Sequence, residues 1–215
     1  MSVEIYAKFG LREKETGREI ILPKYDKIVE LDDELMKVEL DGKFGLINKS
    51  GKEIVIPKYD YFDEFRNGFA RVESNGKWGF ISKSGEVVVP PQYDSADDFE
   101  EGFAKIGLNG MYGVIDESGR EVVTPKYDNV GRFEEGFASV ELEGKYGFID
   151  KSGKELVPPQ YDSADDFEEG FAAISMDDKY GFIDESGREV VPPKYDNVRR
   201  FNKGFAIIYM KGKTG

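Results

Sequence analysis

The sequence contains no cysteine and no histidine among its 215 residues. Without cysteine, the chain has no disulfide, no thiolate nucleophile and no cysteine-ligated zinc or iron–sulfur site. Without histidine, it lacks the most frequent general base and the commonest metal ligand. These two absences exclude a large share of enzyme mechanisms. We therefore expect no cofactor and no resident metal.

Positive charge and long apolar runs are also scarce. The chain has 30 Lys and Arg against 43 Asp and Glu, which gives a net charge of −13. Because phosphates would be repelled, we expect neither nucleic acid nor a membrane surface as a partner. No apolar run approaches the roughly 18 residues of a membrane span, and Glu4 stands where an apolar secretory segment would run. The sequence therefore predicts an untargeted, cytoplasmic protein.

The most prominent feature of the sequence is a repeat of 34 residues. The pair Tyr-Asp recurs at this spacing, at Tyr25, Tyr59, Tyr93, Tyr127, Tyr161 and Tyr195. An aromatic-Gly pair and a Gly-Phe-Ala triplet recur in step with it, and all 9 prolines stand just before Tyr-Asp. Residues bound to a period are explained by the scaffold. The prediction is one repeat domain, 1–215, with units at about 1–34, 35–68, 69–102, 103–136, 137–170 and 171–204 and a partial unit at 205–215.

The pattern within one unit predicts β-structure. A 34-residue period also suits tetratricopeptide helices, but Gly and Pro interrupt every unit too often for two helices. Apolar and polar residues alternate instead, which predicts a strand over 137–142, a turn at Glu143-Gly144 and a second strand over 145–150. The third strand contains prolines and should lie at a sheet edge. The stretch 160–169 fits a fourth strand or one helical turn.

The run KWGFISKSGEVVVPPQYDSADDFEEGFA (77–104) resembles the WG, or KWG, repeat. The resemblance covers nearly the whole chain in six consecutive units. The sequence departs from the family in using Phe or Tyr in place of Trp, except at Trp78. The resemblance implies a bacterial, β-rich array that serves as a non-catalytic scaffold, and it brings no catalytic residues with it.

Two arrangements of the units fit the sequence. In a six-bladed β-propeller, the terminal strands would share one blade, and the common phase of 1–10 and 206–215 favours this closure. A unit of 34 residues is short beside the roughly 40–45 of a common blade. The atypical first unit, with Glu34-Leu35-Met36 in place of Gly-Phe-Ala, also suits an open end. We therefore predict an all-β open, solenoid-like array, with the propeller as the alternative.

The acidic loops are the first candidate site. Oxygen-rich clusters such as the one around Asp97 and Asp98 can bind calcium, but the spacing is not that of an EF-hand. We call the positions that are equivalent in successive units a column. From the third unit onward, the charge in the columns of Asp97 and Asp98 alternates in sign, with Arg132 and Arg200 in the fourth and sixth units. This alternation predicts ion pairs between neighbouring repeats. A carboxylate pair could serve a glycosidase, yet no acidic pair stands outside the repeat, so we expect no enzyme activity.

A few aromatic residues are not explained by the period. Tyr61 and Phe62 stand where other units have small or aliphatic residues, and Tyr209 takes the place of Glu141. Exposed aromatics are typical of binding hot spots, although local packing would account for them equally well. We take Tyr61, Phe62, Trp78 and Tyr209 as candidate partner-binding residues. The predicted function is a non-enzymatic scaffold that binds a protein or peptide through an acidic, aromatic-bearing surface. The alternative is a glycan-binding or glycan-hydrolysing propeller.

Overall fold

The computed structural model describes residues 7–211, and all regular structure among them is β-strand. The described residues form two compact units that divide between Phe99 and Glu100. The strands of the first unit are β1 (Phe9–Arg12), β2 (Glu19–Tyr25), β3 (Lys27–Glu30), β4 (Leu35–Leu40), β5 (Lys43–Asn48), β6 (Glu53–Tyr59), β7 (Tyr61–Phe62), β8 (Phe69–Ser74), β9 (Lys77–Ser82), β10 (Val87–Tyr93) and β11 (Ser95–Ala96). They form an antiparallel pair, β1-β2, and two antiparallel four-stranded sheets, β3-β4-β5-β6 and β7-β8-β9-β10.

The second unit repeats the same design. Its strands are β12 (Phe103–Leu108), β13 (Met111–Asp116), β14 (Glu121–Tyr127), β15 (Asn129–Val130), β16 (Phe137–Leu142), β17 (Lys145–Asp150), β18 (Glu155–Tyr161), β19 (Ser163–Ala164), β20 (Phe171–Met176), β21 (Lys179–Asp184), β22 (Glu189–Tyr195), β23 (Asn197–Asn202) and β24 (Phe205–Tyr209). Strands β12-β13-β14 are antiparallel neighbours, β15–β18 and β19–β22 form four-stranded sheets, and β23-β24 form a pair.

The predicted fold class is confirmed. The described strands lie in antiparallel sheets that repeat every 34 residues, and none of these sheets closes into a barrel, as expected of an open all-β array. The undecided stretch 160–169 contains the end of β18 and the two-residue strand β19, followed by an isolated bridge between Glu168 and Phe171. No described residue belongs to a helix that is long and apolar enough to cross a membrane.

The hairpin between the second and third strands of each sheet depends on a turn with positive φ. In the β16–β17 hairpin, Glu143 has φ 52° and Gly144 has φ 71°. Two consecutive residues of positive φ are typical of the two-residue hairpin turn whose twist matches that of the strands. The first turn residue also gains an acceptor, because Asp128 Oδ2 accepts a hydrogen bond from the Glu143 N–H at 2.6 Å. The sequence prediction of this turn is confirmed.

The proline-bearing strand lies at the sheet edge, as predicted, and it passes unusually close to the aromatic-Gly strand. A Cβ on Gly147 in β17 would lie 2.4 Å from the carbonyl oxygen of Val157 and 2.6 Å from the nitrogen of Pro159 in β18. No side chain fits at such distances. Glycine therefore occupies this column because the two backbones approach each other too closely for a Cβ.

The hydrophobic core lies between successive sheets. In the second unit, one cluster joins Phe148 and Val157 of one sheet to Phe167 and Ile174 of the following repeat, all of them buried. Aromatic rings continue this contact along the unit, since Phe137 packs on Phe167 at 4.6 Å between ring centroids. Each sheet thus covers the apolar face that its neighbour cannot bury alone, which is the packing principle of repeat proteins.

Hydrogen bonds also connect the repeats. The hydroxyl of Tyr127 donates to Glu155 of the next repeat at 2.6 Å, and Tyr161 donates to Glu189 at 3.1 Å. Burial, together with this bond, raises the pKa of Tyr161 to about 12. Tyrosine in this column therefore anchors one repeat to the next through a neutral hydroxyl and a carboxylate.

The loops of alternating charge form ion pairs between neighbouring repeats. Arg132 Nη1 lies 2.9 Å from Glu100 Oε2 of the preceding repeat. Arg200 pairs with Asp165 at 3.5 Å and with Glu168 at 3.3 Å. The prediction of ion pairs between neighbouring repeats is confirmed. Because these groups are largely exposed, each pair contributes only about 0–1 kcal/mol.

Candidate functional site

Two of the predicted binding residues meet on one face of the sheet β7–β10. Tyr61 in β7 is opposite Glu73 in β8, and Glu73 is opposite Trp78 in β9. Directly paired residues of an antiparallel sheet share a face. The rings of Tyr61 and Trp78 lie 5.6 Å apart at an interplanar angle of 64°, which is an edge-to-face contact. Tyr61 is 45% exposed, so the pair is accessible at the surface.

Arg71 completes this surface, which we call the aromatic patch (Tyr61, Arg71, Glu73 and Trp78). Arg71 and Glu73 are two residues apart in β8 and therefore lie on the same face. The guanidinium carbon of Arg71 lies 5.5 Å from the centre of the Trp78 ring, a cation–π distance. The patch thus combines two aromatic rings, one cation and one carboxylate on rigid strands.

The guanidinium of Arg71 is held in place from behind. Its Nε lies 3.0 Å from Asp98 and 3.2 Å from Asp63, and its Nη1 donates to the carbonyl oxygen of Ala96 at 2.9 Å. Burial opposes the ionisation of Asp63, but the hydrogen bonds from Arg71 and from the backbone N–H of Glu64, together with the positive charges of Arg71 and Arg66, outweigh it and lower the pKa of that carboxyl group. Arg71 is therefore fixed over the ring before any partner arrives.

The other two predicted residues do not belong to this patch. Phe62 is only 1% exposed and packs in the core against Tyr59 and Phe65, so the prediction that it is an exposed aromatic is wrong. The physical reason is the period of two in a strand, which turns Phe62 inward when Tyr61 points outward. Tyr209 is 55% exposed in β24 of the second unit and is paired with Asn197.

The sequence reasoning missed Arg71 and Glu73. A signal was present in the repeat columns, because the position of Arg71 is Lys37 in one repeat and Lys105 in another. These lysines lie over the aromatic rings of Phe44 and Tyr112, at 5.7 and 5.2 Å. A cation two residues after Phe69, facing an aromatic on the next strand, is thus a recurring pair. In the sheet β7–β10 a second aromatic residue, Tyr61, joins this pair, whereas the equivalent position in the other repeats is not aromatic.

A cleft of about 920 Å³ lies elsewhere in the first unit, between the β3–β4 loop and the turns after β5 and β9. Two of its lining residues form an ion pair, with Lys83 Nζ 2.7 Å from Asp32 Oδ2. Asp32 also accepts hydrogen bonds from the backbone N–H groups of Glu34 and Leu35. The bond from Lys83 and these two backbone donors lower the pKa of Asp32 to about 2. An ion pair between two repeats thus lines the cleft.

We expect the contribution of Asp32 to stability to depend on pH. A carboxyl group whose pKa is lower in the folded chain stabilises it above the unfolded pKa, and this stabilisation is lost as the pH falls. For Asp32 the loss should occur between about pH 4 and about pH 2. In urea unfolding at several pH values, the stability difference between wild type and Asp32→Asn should shrink over this window. Asp33→Asn is the control for loss of a charge, and a difference that stays constant with pH contradicts the prediction.

The acidic loops do not assemble a cation site in the part of the chain that the structure describes. No three Asp or Glu residues among 7–211 are arranged to hold a metal ion. Several of these carboxylates contact the neighbouring repeat instead. Glu135, for example, accepts hydrogen bonds from the backbone N–H groups of Glu169 at 3.2 Å and Gly170 at 2.9 Å. Glu169 accepts in the same way from Lys203 and Gly204, and these bonds lower its pKa.

Comparison with known proteins supports the repeat assignment. The family model described as WG containing repeat matches six consecutive segments, 14–44, 44–78, 78–112, 112–146, 146–180 and 180–213. No curated protein matches the chain.

Several solved structures resemble the chain at low identity. They include Kluyveromyces lactis Hsv2 (12% identity, 75% of this chain and 60% of that chain, TM-score 0.39) and PorZ of the type-IX secretion system of Porphyromonas gingivalis (10%, 87% and 35%, 0.36). The chain spans less than two thirds of the length of these structures.

Proposed function

Because this chain belongs to the family of WG-containing repeats, with matches in six consecutive segments, we propose that it is a non-enzymatic scaffold that binds a protein or peptide. The observation that carries the proposal is the aromatic patch. Tyr61 and Trp78 are in contact and accessible on a sheet face, and Arg71 is fixed beside them. Trp, Tyr and Arg are the residue types that dominate binding hot spots.

The chemistry of the aromatic patch favours a peptide with a basic residue. The exposed ring of Tyr61 attracts a Lys or Arg side chain through its negative face, and Glu73, which is opposite Tyr61 in the sheet, provides a counter-charge. The net charge of −13 adds a long-range attraction for basic partners. Since the patch lies on paired strands and Arg71 is already held, little side-chain freedom is lost on binding.

The roles of the carboxylates support a non-catalytic function. Glu53 accepts hydrogen bonds from Lys24 and from the hydroxyl of Tyr25, and these bonds lower its pKa. Asp162 accepts a hydrogen bond from the backbone N–H of Asp177, and it pairs with Lys145. Such carboxylates are ionised acceptors that hold the repeats together. General acid catalysis requires the opposite, a carboxyl group whose pKa is raised.

The proposal predicts which substitutions weaken binding. Peptides would be selected from a random phage-displayed library on the wild-type chain, and their affinity for purified variants measured by fluorescence anisotropy. We expect Tyr61→Ala and Trp78→Ala each to raise the Kd about 30-fold, which corresponds to the 2 kcal/mol of a hot-spot residue. Selected peptides should be enriched in Lys or Arg.

Tyr180→Ala is the matched control. Tyr180 occupies the column of Trp78 and is 36% exposed, but its sheet has Ala173 and Ser163 in the columns of Arg71 and Tyr61. This variant should bind the selected peptides as the wild type does. Equal affinity of wild type and Tyr61→Ala would refute the proposed site. A glycan array is the second measurement. If no peptide is selected and a glycan binds the wild type but not Tyr61→Ala, the ligand is a sugar and not a peptide.

A further inference from the structure

Lysine and tyrosine side chains of one repeat share a glutamate of the following repeat. Lys24 Nζ donates to Glu53 Oε1 at 2.8 Å, and the Tyr25 hydroxyl donates to the same oxygen at 2.6 Å. The column of Glu53 contains glutamate in every repeat but one, in which it contains Val87. Its members are Glu19, Glu53, Val87, Glu121, Glu155 and Glu189. The repeat 69–102 therefore lacks the shared carboxylate.

The two donors that would face this carboxylate are present. Lys58 and Tyr59 occupy the columns of Lys24 and Tyr25. Lys58 Nζ lies 5.0 Å from the centre of the Tyr59 ring, close to the 4.7 Å between Lys24 Nζ and the Tyr25 ring. The lysine thus lies over the tyrosine in the repeat that lacks the glutamate as it does in the repeat that has it.

The segment that leads into β10 also packs on the preceding repeat in the usual way. A Cβ built on Gly85 would lie 3.1 Å from the carbonyl oxygen of Ile54. The equivalent distances in repeats that keep the glutamate are 3.4 Å for Gly51 and 2.9 Å for Gly187. Because the backbones approach each other similarly, Val87 lies where the other repeats place their glutamate.

The hydroxyl of Tyr59 is available to a ligand although its ring is buried. Tyr59 is 3% exposed, and neither its hydroxyl nor Lys58 bonds to a carboxylate among residues 7–211. Within this range no buried side-chain oxygen lacks a hydrogen-bond partner, so the Tyr59 hydroxyl reaches solvent. Glu86 is adjacent to Val87 but stands in the column of Lys52, and consecutive residues of an extended chain point to opposite sides.

We propose that the place of the missing glutamate binds the carboxylate of an acidic residue from a protein or peptide partner. We call it the carboxylate site (Lys58, Tyr59 and Val87). Lys58 supplies the positive charge, and the Tyr59 hydroxyl donates a hydrogen bond to the carboxylate. These are the two interactions that the chain itself uses to hold Glu53.

The openness of the site favours an acidic residue of a partner over a small free acid. Glu53, at the equivalent place, keeps 35% of its side chain exposed, whereas small-molecule sites enclose most of their ligand. Val87 is 43% and Ile56 62% exposed. Ile56 precedes Lys58 by two residues in β6 and so lies on the same side of the strand. Apolar neighbours of the acidic residue can pack on these two side chains.

A short peptide tests the site directly. The probe is the acetylated and amidated pentapeptide Ala-Val-Glu-Val-Ala, titrated into the full chain and followed by the NMR signals of the Tyr59 ring, which a Tyr59→Phe variant identifies. We expect saturable shifts with this probe and none with the peptide that carries glutamine in place of glutamate. Lys58→Met should raise the Kd about tenfold, as expected for loss of a hydrogen bond to a charged group. Lys24→Met is the matched control and should leave the Kd unchanged, because Glu53 already fills that place.

Two further variants fill the site and build it elsewhere. Val87→Glu supplies the missing carboxylate from the chain itself, so the pentapeptide should no longer bind. Glu155→Val removes the carboxylate that accepts from Lys126 and Tyr127, so the pentapeptide should now also shift the signals of the Tyr127 ring. Both substitutions exchange residue types that this column already contains, so both variants should fold.

The outcomes separate this site from the aromatic patch and from a site for free acids. Tyr61→Ala should leave the Kd of the pentapeptide unchanged, because Tyr61 is not part of the carboxylate site. Equal binding of the glutamate and glutamine peptides, or equal binding to wild type and Val87→Glu, overturns the proposal. Butyrate that binds as tightly as the pentapeptide overturns the assignment to an acidic residue of a partner, since the carboxylate alone would then account for the affinity.

Discussion

Substitution of Gly147 by alanine should lower the free energy of unfolding by about 3 kcal/mol or more. The added methyl group would lie 2.4 Å from the carbonyl oxygen of Val157 and 2.6 Å from the nitrogen of Pro159. Both atoms belong to the backbone of β18, so no side-chain rotation relieves the clash. The strands β17 and β18 must separate, which weakens the sheet and its contact with the next repeat.

The matched control for this prediction is Gly144→Ala, three residues earlier in the same hairpin. Gly144 has φ 71°, and a Cβ built there meets no atom within 4 Å. Its substitution should therefore cost only the strain of a left-handed residue, about 1–2 kcal/mol. Urea unfolding followed by far-UV circular dichroism measures both. If Gly147→Ala is no more destabilising than Gly144→Ala, the close approach of the two backbones is not what requires this glycine.

The two glycine columns show what sequence reasoning can and cannot reach. The turn column, with Gly144, could be predicted because a hairpin turn between two alternating strands needs positive φ. The aromatic-Gly column, with Gly147, was visible as a fixed position, but its cause was not. It depends on where the proline-bearing strand passes, and that path follows from the register shifts between β17 and β18. Local sequence does not encode the distance between two strands.

The aromatic patch was predicted in part, for a related reason. The sequence singles out Tyr61 because it departs from the repeat, and Trp78 because it is the Trp of an aromatic-Gly pair. The structure brings the two rings into contact. Phe62 was wrongly grouped with Tyr61, although consecutive residues of a strand point to opposite faces and only one of them can be exposed. The position of Arg71 over Trp78 was not predicted, because it requires the pairing of β8 with β9.

The charged loops likewise contain one contact that the sequence predicts and one that it does not. The alternation of sign between neighbouring units was sufficient to predict the ion pair of Arg132 with an acidic residue of the preceding repeat. The hydrogen bonds that Glu135 accepts from the backbone N–H groups of Glu169 and Gly170 were not predictable from charge. They require the positive φ of the turn at Glu169 and Gly170, which turns two adjacent donors toward the carboxylate.

The contact between successive sheets should contribute strongly to the stability of the second unit. Phe167 is 4% exposed, and its ring lies 4.6 Å from that of Phe137 and 5.0 Å from that of Phe148. Phe167→Ala removes both ring contacts and leaves a cavity between two sheets. We expect it to lower the free energy of unfolding by about 3–5 kcal/mol.

Phe167→Leu distinguishes the contribution of the aromatic ring contacts from the contribution of the volume that the side chain fills. Leucine keeps most of the apolar volume and loses only the edge-to-face and tilted ring contacts with Phe148 and Phe137. Its expected cost is about 1.5 kcal/mol or less. Hydrogen exchange of the flanking strands β16 and β20 should show faster exchange in Phe167→Ala than in Phe167→Leu, because each sheet is stabilised by its neighbour rather than alone. If the alanine and leucine variants unfold alike, the rings and not the filled volume account for the contact between sheets.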